Sequence, residues 1–397
     1  MTDNPKIEYR HLTPDEKLYL ERLQGFVFSF TPDEKDIREK IAKNEYKCDG
    51  TYGAVDGRGR ILAGMEVVPY TMWFDGHKVP MGGIGGVASV PESRRQSNIR
   101  RVFEKVFEDM RENGTVFSHL YPFSHDFYRK FGYEHCGGAK RYTLPVAPAR
   151  RLKNLGSAHE YIKGDAVRGK LTEVYEAYAS RHNAMVSRSE ASWDKIFDMP
   201  LFGADRLYYW ADAEGEVKAW AKFKKENDEV RISDIAWADH ESMLGILQFI
   251  GMFEGAAGKM VITASPEFIP EIYWNNLYEI NTENSWLGMS RVVDARRVLE
   301  LMKKPEREGK FTIKVEDGFA KWNDNTYEVE FGGGDCAVKT VAHGADIEVT
   351  ERALAQMALG VYGLEEISRR DDVRVNGNAQ TLGEVFCRKN VLLADFF

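Results

Sequence analysis

The stretch "GGVASVPESRRQSNIRRVFEKVFEDM", Gly85 to Met110, decides how this chain is read. An apolar segment meets a proline, then a cluster of arginines, then an evident helix. Ile99, Val102, Phe103, Val106, Phe107 and Met110 fall at offsets of 0, 3, 4, 7, 8 and 11, one apolar stripe at helical period. Asn113-Gly114 predicts the end of that helix. A helix N-terminus presents unpaired N–H groups and the positive end of the dipole, which makes it a ready anion site. Arg94 and Arg95, just before it, add full charges and bidentate donors. Gln96, Ser97, Asn98 and Ile99 would offer backbone N–H groups to a pyrophosphate. The preceding strand, Val87 to Ser89, could bond along a ligand arm with its free backbone edge. An isolated Arg-Arg pair reads more simply as a solvated turn. Its place between a strand and a strongly periodic helix shifts the reading towards function.

Outward from this stretch, the chain divides into three regions, 1–148, 149–284 and 285–397. In the first, "KIEYRHL" alternates like a strand, and "TPDEKLYLERLQGFVF" is a helix with Thr13 as N-cap and Pro14 at its first position. A strand meander follows, with turn signals at Asp56-Gly57 and Asp75-Gly76. After the central helix come the strand "TVFSHLYPF", a short helix around "SHDFYRKF", and a final strand past Gly132. The second region repeats this order in weaker form, with a helix, three strands, the apolar helix "DHESMLGILQFIGMFEGAAG" and the strand "KMVITA". Where the first region has its arginines, the second has Asp239, His240 and Glu241. Acidic residues suit a helix dipole but repel phosphate, so the second copy is expected to bind no nucleotide. The third region reads as strands joined by Asp-, Asn- and Gly-rich turns, with the helix "TERALAQMAL" capped by Thr350. The fold class is thus mixed α/β (α+β). "MKKPEREGK" reads as a solvated loop.

The 397 residues carry a formal net charge of -8, with 54 Lys+Arg against 62 Asp+Glu. That balance argues against nucleic-acid binding, which favours basic domains. It is compatible with drawing in a cationic substrate. Cys48, Cys136, Cys336 and Cys387 are far apart, so neither a metal site nor a disulfide framework is expected. The N-terminus lacks an apolar signal core, and no apolar run is long enough for a membrane span. A cytoplasmic protein is the expectation.

"GGIGGVASVPESRRQSNIRRVFEKVFEDMREN", followed by "FSHLYPFSHDFYRKFGYE", resembles the GCN5-related N-acetyltransferase (GNAT) superfamily, and more closely the enhanced intracellular survival (Eis) family. The resemblance extends over the whole chain. It implies tandem GNAT domains, the second degenerate, and a C-terminal domain resembling sterol carrier proteins, at the boundaries given above. It implies acetyl-CoA as cofactor, a homohexamer, and an amine acceptor such as an aminoglycoside or a lysine. Carried over by position, the strand contacts fall on Val87, Ala88 and Ser89. The loop contacts fall on Arg95, Gln96, Ser97, Asn98, Ile99 and Arg100, with Arg94 beside them, and a further contact on Phe123 and Ser124. The superfamily pattern Gln/Arg-x-x-Gly-x-Gly/Ala is departed from at Ser97 and Ile99. Glycine permits close approach or a positive φ, so binding at reduced affinity is expected here.

Acetyl transfer needs a proton for the departing thiolate and a base for the attacking amine. The resemblance assigns the first role to Tyr128, with Tyr133 as a rival that better suits a strand. It assigns the second to the α-carboxylate of Phe397. The apolar "LLADFF" should dock and so fix that carboxylate, although a simple apolar plug would look the same. Phe26, Phe28 and Phe30 could line an acceptor pocket or form a core stripe. His119 and His125 flank the site, and a lone histidine is more often structural. An alternative function is a catalytically weak GNAT-like protein whose third domain carries an apolar ligand or mediates assembly.

Overall fold

The computed structural model describes residues 6–285 and 288–395. The first sheet is built from β1 (Glu8–His11), β2 (Thr51–Val55), β3 (Ile61–Phe74), β4 (His77–Ser89), β5 (Phe117–Leu120) and β6 (Glu134–His135). Helices α1 (Pro14–Phe28), α2 (Glu34–Ala42), α3 (Asn98–Glu112) and the single-turn α4 (His125–Arg129) accompany it. Thr13 caps α1 through a capping box with Glu16, as its sequence announces. Asp75 and Gly76, both at positive φ (48° and 83°), turn β3 into β4. The apolar stripe of α3 packs onto this sheet, where Val102, Phe103, Val106 and Phe107 are buried. Each such burial contributes about 1.5–3 kcal/mol.

The second sheet contains β7 (Lys140–Pro145), β8 (Ser157–Glu160), β10 (Asp205–Ala211), β11 (Val217–Glu226), β12 (Glu229–Trp237), β13 (Lys259–Ala264) and β14 (Asn281–Asn284), while the two-residue β9 (Val186–Ser187) pairs instead with β3. With it go α5 (Val146–Ala149), α6 (Arg168–Ala179), α7 (Glu190–Phe197) and α8 (His240–Gly251). The third sheet has the order β18-β17-β16-β19-β20, with β16 (Gly309–Glu316), β17 (Asn325–Gly332), β18 (Asp335–Val341), β19 (Ile347–Thr350) and β20 (Val373–Val375). It packs with α9 (Ala295–Leu301) and α10 (Glu351–Leu359), the latter capped by Thr350.

Two strands cross the divisions expected at 148 and 284. The strand past Gly132 splits: β6 stays in the first sheet, but β7 pairs with β13 and β14 of the second. β15 (Met289–Val292), which opens the third region, inserts between β5 and β6 of the first sheet. One apolar core accordingly joins Met72, Phe74 and Phe117 to Val298, Phe311 and Met357. The "MKKPEREGK" segment is only partly solvated. Met302 is buried, and Lys304 donates to the carbonyl groups of Leu299 and Glu300 at the end of α9.

Candidate active site

β4 and β5 run parallel and pair from Met81–Ile84 to Phe117–Leu120. Past Ile84, β4 continues while β5 has ended, so the sheet opens at its carboxyl edge. Gly86 and Val87 together oppose Met65 on β3, a bulge that bends β4 away from its partner. Gly86 is required there. Its φ is 60°, and a Cβ would stand 2.2 Å from Gln24 Nε2. That amide, itself buried, donates to Gly86 O at 2.9 Å and holds the bulge.

The bulge delivers the chain into the arginine loop. Ser93 is buried and donates to Leu62 O at 3.1 Å. Arg95 and Ser97 then take left-handed conformations, with φ of 65° and 62°. Ser97 occupies the place of the superfamily's first glycine, and its backbone does what glycine would do most easily. Tyr9 donates to Asn98 Oδ1 at 3.1 Å and pins the start of α3. No acidic residue stands in the first turn of α3, and no side chain caps it. Arg101 is the first residue to bond back, to Ser97 O at 3.0 Å. The N–H groups of Ser97, Asn98, Ile99 and Arg100 therefore have no acceptor among the described residues. Glu92 is paired with Arg60, and Glu104 with Arg100 and Arg101. Arg94 and Arg95 are exposed and have no ion-pair partner among the described residues.

A cavity of about 830 Å³ lies against this loop. Val87, Ala88, Ser89, Arg94, Arg95, Ser97, Asn98, Ile99, Arg100 and Phe123 all line it. Gln96 and Ser124 do not: Gln96 Nε2 donates to Glu92 O, and Ser124 caps α4 by accepting from the Phe127 N–H. Val27, Ser93, Phe127, Lys130 and Phe131 also line the cavity and were missed from sequence. Phe127, Lys130 and Phe131 share the "DFYRKF" segment with Tyr128, and a helical reading of that segment could have flagged them. Phe28 lines the cavity, whereas Phe26 and Phe30 do not; all three rings are exposed, so the core-stripe alternative is excluded.

Tyr128 is buried and sits edge-on to Phe123 and Phe127, with ring centroids 5.4 and 5.1 Å away. It does not line the cavity, and among the described residues its hydroxyl has no hydrogen-bond partner. Burial holds that hydroxyl above the usual tyrosine range, so it remains protonated at neutral pH. Tyr133 differs: its hydroxyl shares a 2.6 Å hydrogen bond with Ser118 Oγ, which donates to Gly82 O at 2.9 Å. It is a satisfied core residue. His119 is fully buried on β5, and neither ring nitrogen has a partner among the described residues. Desolvation pushes its pKa down to about 3. Phe397 lies outside the described residues. The segment before it docks, with Val391, Leu392 and Leu393 buried, and Tyr121 donates to the backbone oxygen of Asp395.

The second domain lacks these features at the matching place. β12 and β13 pair in parallel only from Glu229–Arg231 to Lys259–Val261. Asp239 then caps α8 in a reciprocal box with Ser242, accepting from its N–H at 2.8 Å. Glu241 adds a second negative charge in the first turn. Here the helix end is satisfied from within. In the third domain, Phe311, Ile313, Val329, Met357 and Phe386 are packed into the shared core. No helix among the described residues is long and apolar enough to cross a membrane.

The family model of an acetyltransferase (GNAT) domain matches residues 8–136, and that of a sterol carrier protein domain matches residues 289–393. No curated protein matches the chain by sequence. Several solved structures share its fold across 99% of its length. One is a conserved protein of unknown function from Enterococcus faecalis V583, described as a probable N-acyltransferase, with a TM-score of 0.85, 20% identity and 100% of that chain covered. Another is a GCN5-related N-acetyltransferase from Anabaena variabilis ATCC 29413, with a TM-score of 0.84, 17% identity and 100% coverage. A third is Eis1 from Mycobacterium abscessus, with a TM-score of 0.79, 15% identity and 100% coverage. The opened β4–β5 edge and the uncapped helix after it thus sit in a unit that matches the GNAT acetyltransferase domain, which marks the chain as an acyltransferase, while its third unit matches a sterol carrier protein domain and the whole chain shares the fold of the solved structures above.

Proposed function

We propose that this chain moves an acetyl group from acetyl-CoA to a primary amine, either of an aminoglycoside-like polyamine or of a lysine or peptide. The observation that carries the reading is the run of unpaired N–H groups from Ser97 to Arg100, flanked by two free arginines on one cavity wall. Such an array fits a pyrophosphate in geometry and charge. Bound there, acetyl-CoA would supply the acyl group as an activated thioester. The backbone of Val87 to Ser89, unpaired on the β5 side, would bond the pantetheine arm. Lys130 lines the same cavity and would meet the remaining phosphate, with Phe123 and Phe127 offering aromatic surface to the adenine.

Tyr128 Oη, kept protonated by burial, would release the proton that the leaving sulfur requires. The α-carboxylate of Phe397 would accept the proton of the attacking amine. What supports this second role is the docking of Val391 to Asp395 towards the end of β5, beside Tyr121. Phe28 and the neighbouring exposed Phe26 would flank the acceptor, and the net charge of -8 favours a cationic one.

Titration calorimetry with acetyl-CoA, together with thiol release over a panel of amines, tests the reading. Binding and turnover are expected, and Arg94→Ala with Arg95→Ala should weaken binding by about 10- to 100-fold, as loss of charge-assisted bonds implies. The absence of both heat and thiol release would overturn the proposal and leave the weak-enzyme or carrier alternative standing.

A further inference from the structure

Beyond the catalytic pair, we propose that Arg188 is a positioning residue: it clamps the segment Asn390–Asp395 onto the second domain and so holds it at the opened edge of the first. The inference rests on the reading of Phe397 as the base. Arg188 follows β9, and its side chain is 5% exposed. It stands 2.6 Å from Asp234 Oδ2 and donates to Asp395 Oδ1 at 2.8 Å. The contact with Asp234 is an ion pair by distance, although the N–H does not point along it. The guanidinium also lies over the ring of Tyr175, 4.0 Å from its centroid. The Tyr175 hydroxyl in turn lies 3.0 Å from Asp395 Oδ2 and 2.8 Å from Val186 O, sharing its one proton between them. Asp395 is thus held on both carboxylate oxygens by second-domain side chains, while its backbone oxygen is held by Tyr121 of the first domain.

The backbone agrees. The Asn183 N–H donates to Asn390 O at 2.8 Å, and the Leu392 N–H donates to Asn183 O at 3.0 Å. Asn390 Nδ2 reaches Glu267, just past β13, and Asp234 lies on β12 beyond its last pairing with β13. The segment therefore crosses the place where the second sheet opens, the counterpart of the cleft in the first. Burial of Val391, Leu392 and Leu393 would by itself dock an apolar segment in several registers. A buried ion pair gains little stability over apolar packing, and its attested use is to fix one arrangement. Here it fixes Asp395 beside the end of β5. A domain without anion-binding features is thereby given a part in the reaction, as the anvil for the chain end.

The test compares Asp395→Asn, which leaves the Arg188–Asp234 pair intact, with Arg188→Gln and Arg188→Lys. For Asp395→Asn and Arg188→Gln, kcat should fall at least 10-fold while the calorimetric affinity for acetyl-CoA stays within 2-fold. Carboxypeptidase should release the last residues faster from both, and Arg188→Lys should recover part of kcat. Wild-type kcat and wild-type carboxypeptidase resistance in Asp395→Asn would overturn the clamp. Should Arg188→Gln not fold, Asp395→Asn decides alone. Full kcat in a chain extended beyond Phe397 would remove the base reading instead, and the carboxypeptidase comparison separates the two failures.

Discussion

Gly132 leaves the space that Arg291 fills: a Cβ built at Gly132 would lie 1.4 Å from Arg291 Nη1. Gly132 closes the α4 turn of the first domain at φ 81°. Arg291 arrives on β15 from the far side of the second domain and is fully buried, as is its partner Asp317, which accepts from Nη2 at 2.9 and 2.8 Å. Its guanidinium also faces the Phe107 ring at 4.8 Å. Gly132→Ala must displace this cation from a dry site, and breaking such a pair costs about 3–5 kcal/mol. Denaturant unfolding should register that loss; an unchanged midpoint would mean that Arg291 has another place to go.

Ser97 holds a glycine-like conformation at a cost of roughly 1–2 kcal/mol. Ser97→Gly should raise stability by up to about 1 kcal/mol, since added chain entropy in the unfolded state offsets part of the relief. Acetyl-CoA affinity should hold or improve, because the N–H remains. Ser97→Val should lower both. Equal melting temperatures for the glycine and valine variants would show that this φ does not matter.

Lys130 is exposed and lines the same cavity as the arginine loop. Lys130→Gln should weaken coenzyme A binding by about 3- to 10-fold, on the scale of one hydrogen bond to a charged group, while hardly altering the affinity for 3′-dephospho-coenzyme A. Competition binding with both compounds measures this. An equal loss for each would assign Lys130 to the pyrophosphate instead.

Tyr128→Phe should reduce kcat by about 10²-fold or more, in the range of general acid catalysis, with acetyl-CoA affinity unchanged. Its ring would keep the contacts with Phe123 and Phe127. Steady-state kinetics and calorimetry together check this, and a wild-type rate would end the acid role.

His119 makes stability depend on pH. Burial depresses its folded pKa to about 3, so between that value and the ordinary one near 6.5 only the unfolded chain binds the proton. The contribution is complete above about pH 6.5 and is lost as pH falls, by up to about 1.4 kcal/mol for each unit in that window. His119→Asn should flatten the slope of unfolding free energy between pH 7 and 5. Parallel curves for the two proteins would place the proton elsewhere.

Much of the fold was legible because its determinants are local. The stripe from Ile99 to Met110, the caps at Thr13 and Thr350, and the Asp75-Gly76 turn each act within a few residues, and each is found as read. The arginine loop was legible for the same reason, since a helix start and its flanking charges are neighbours in the chain. Gln96 and Ser124 sit in the same segments but do not line the cavity, and their side chains bond to backbone partners.

What the amino-acid order determined alone was the set of elements, the succession of three units and the position of an anion-seeking helix end. Tertiary structure decided where strands from distant segments pair. It sent β7 to the second sheet and β15 into the first, because backbone pairing satisfies any extended segment and only three-dimensional packing selects the partner. It also decided that Arg95 and Ser97 accept left-handed backbone, and that Arg188 and Asp395, 207 positions apart, meet in a part-buried pair. Side chains so distant leave no periodic trace, and only the packing of the chain's last segment against the second sheet brings their charges together.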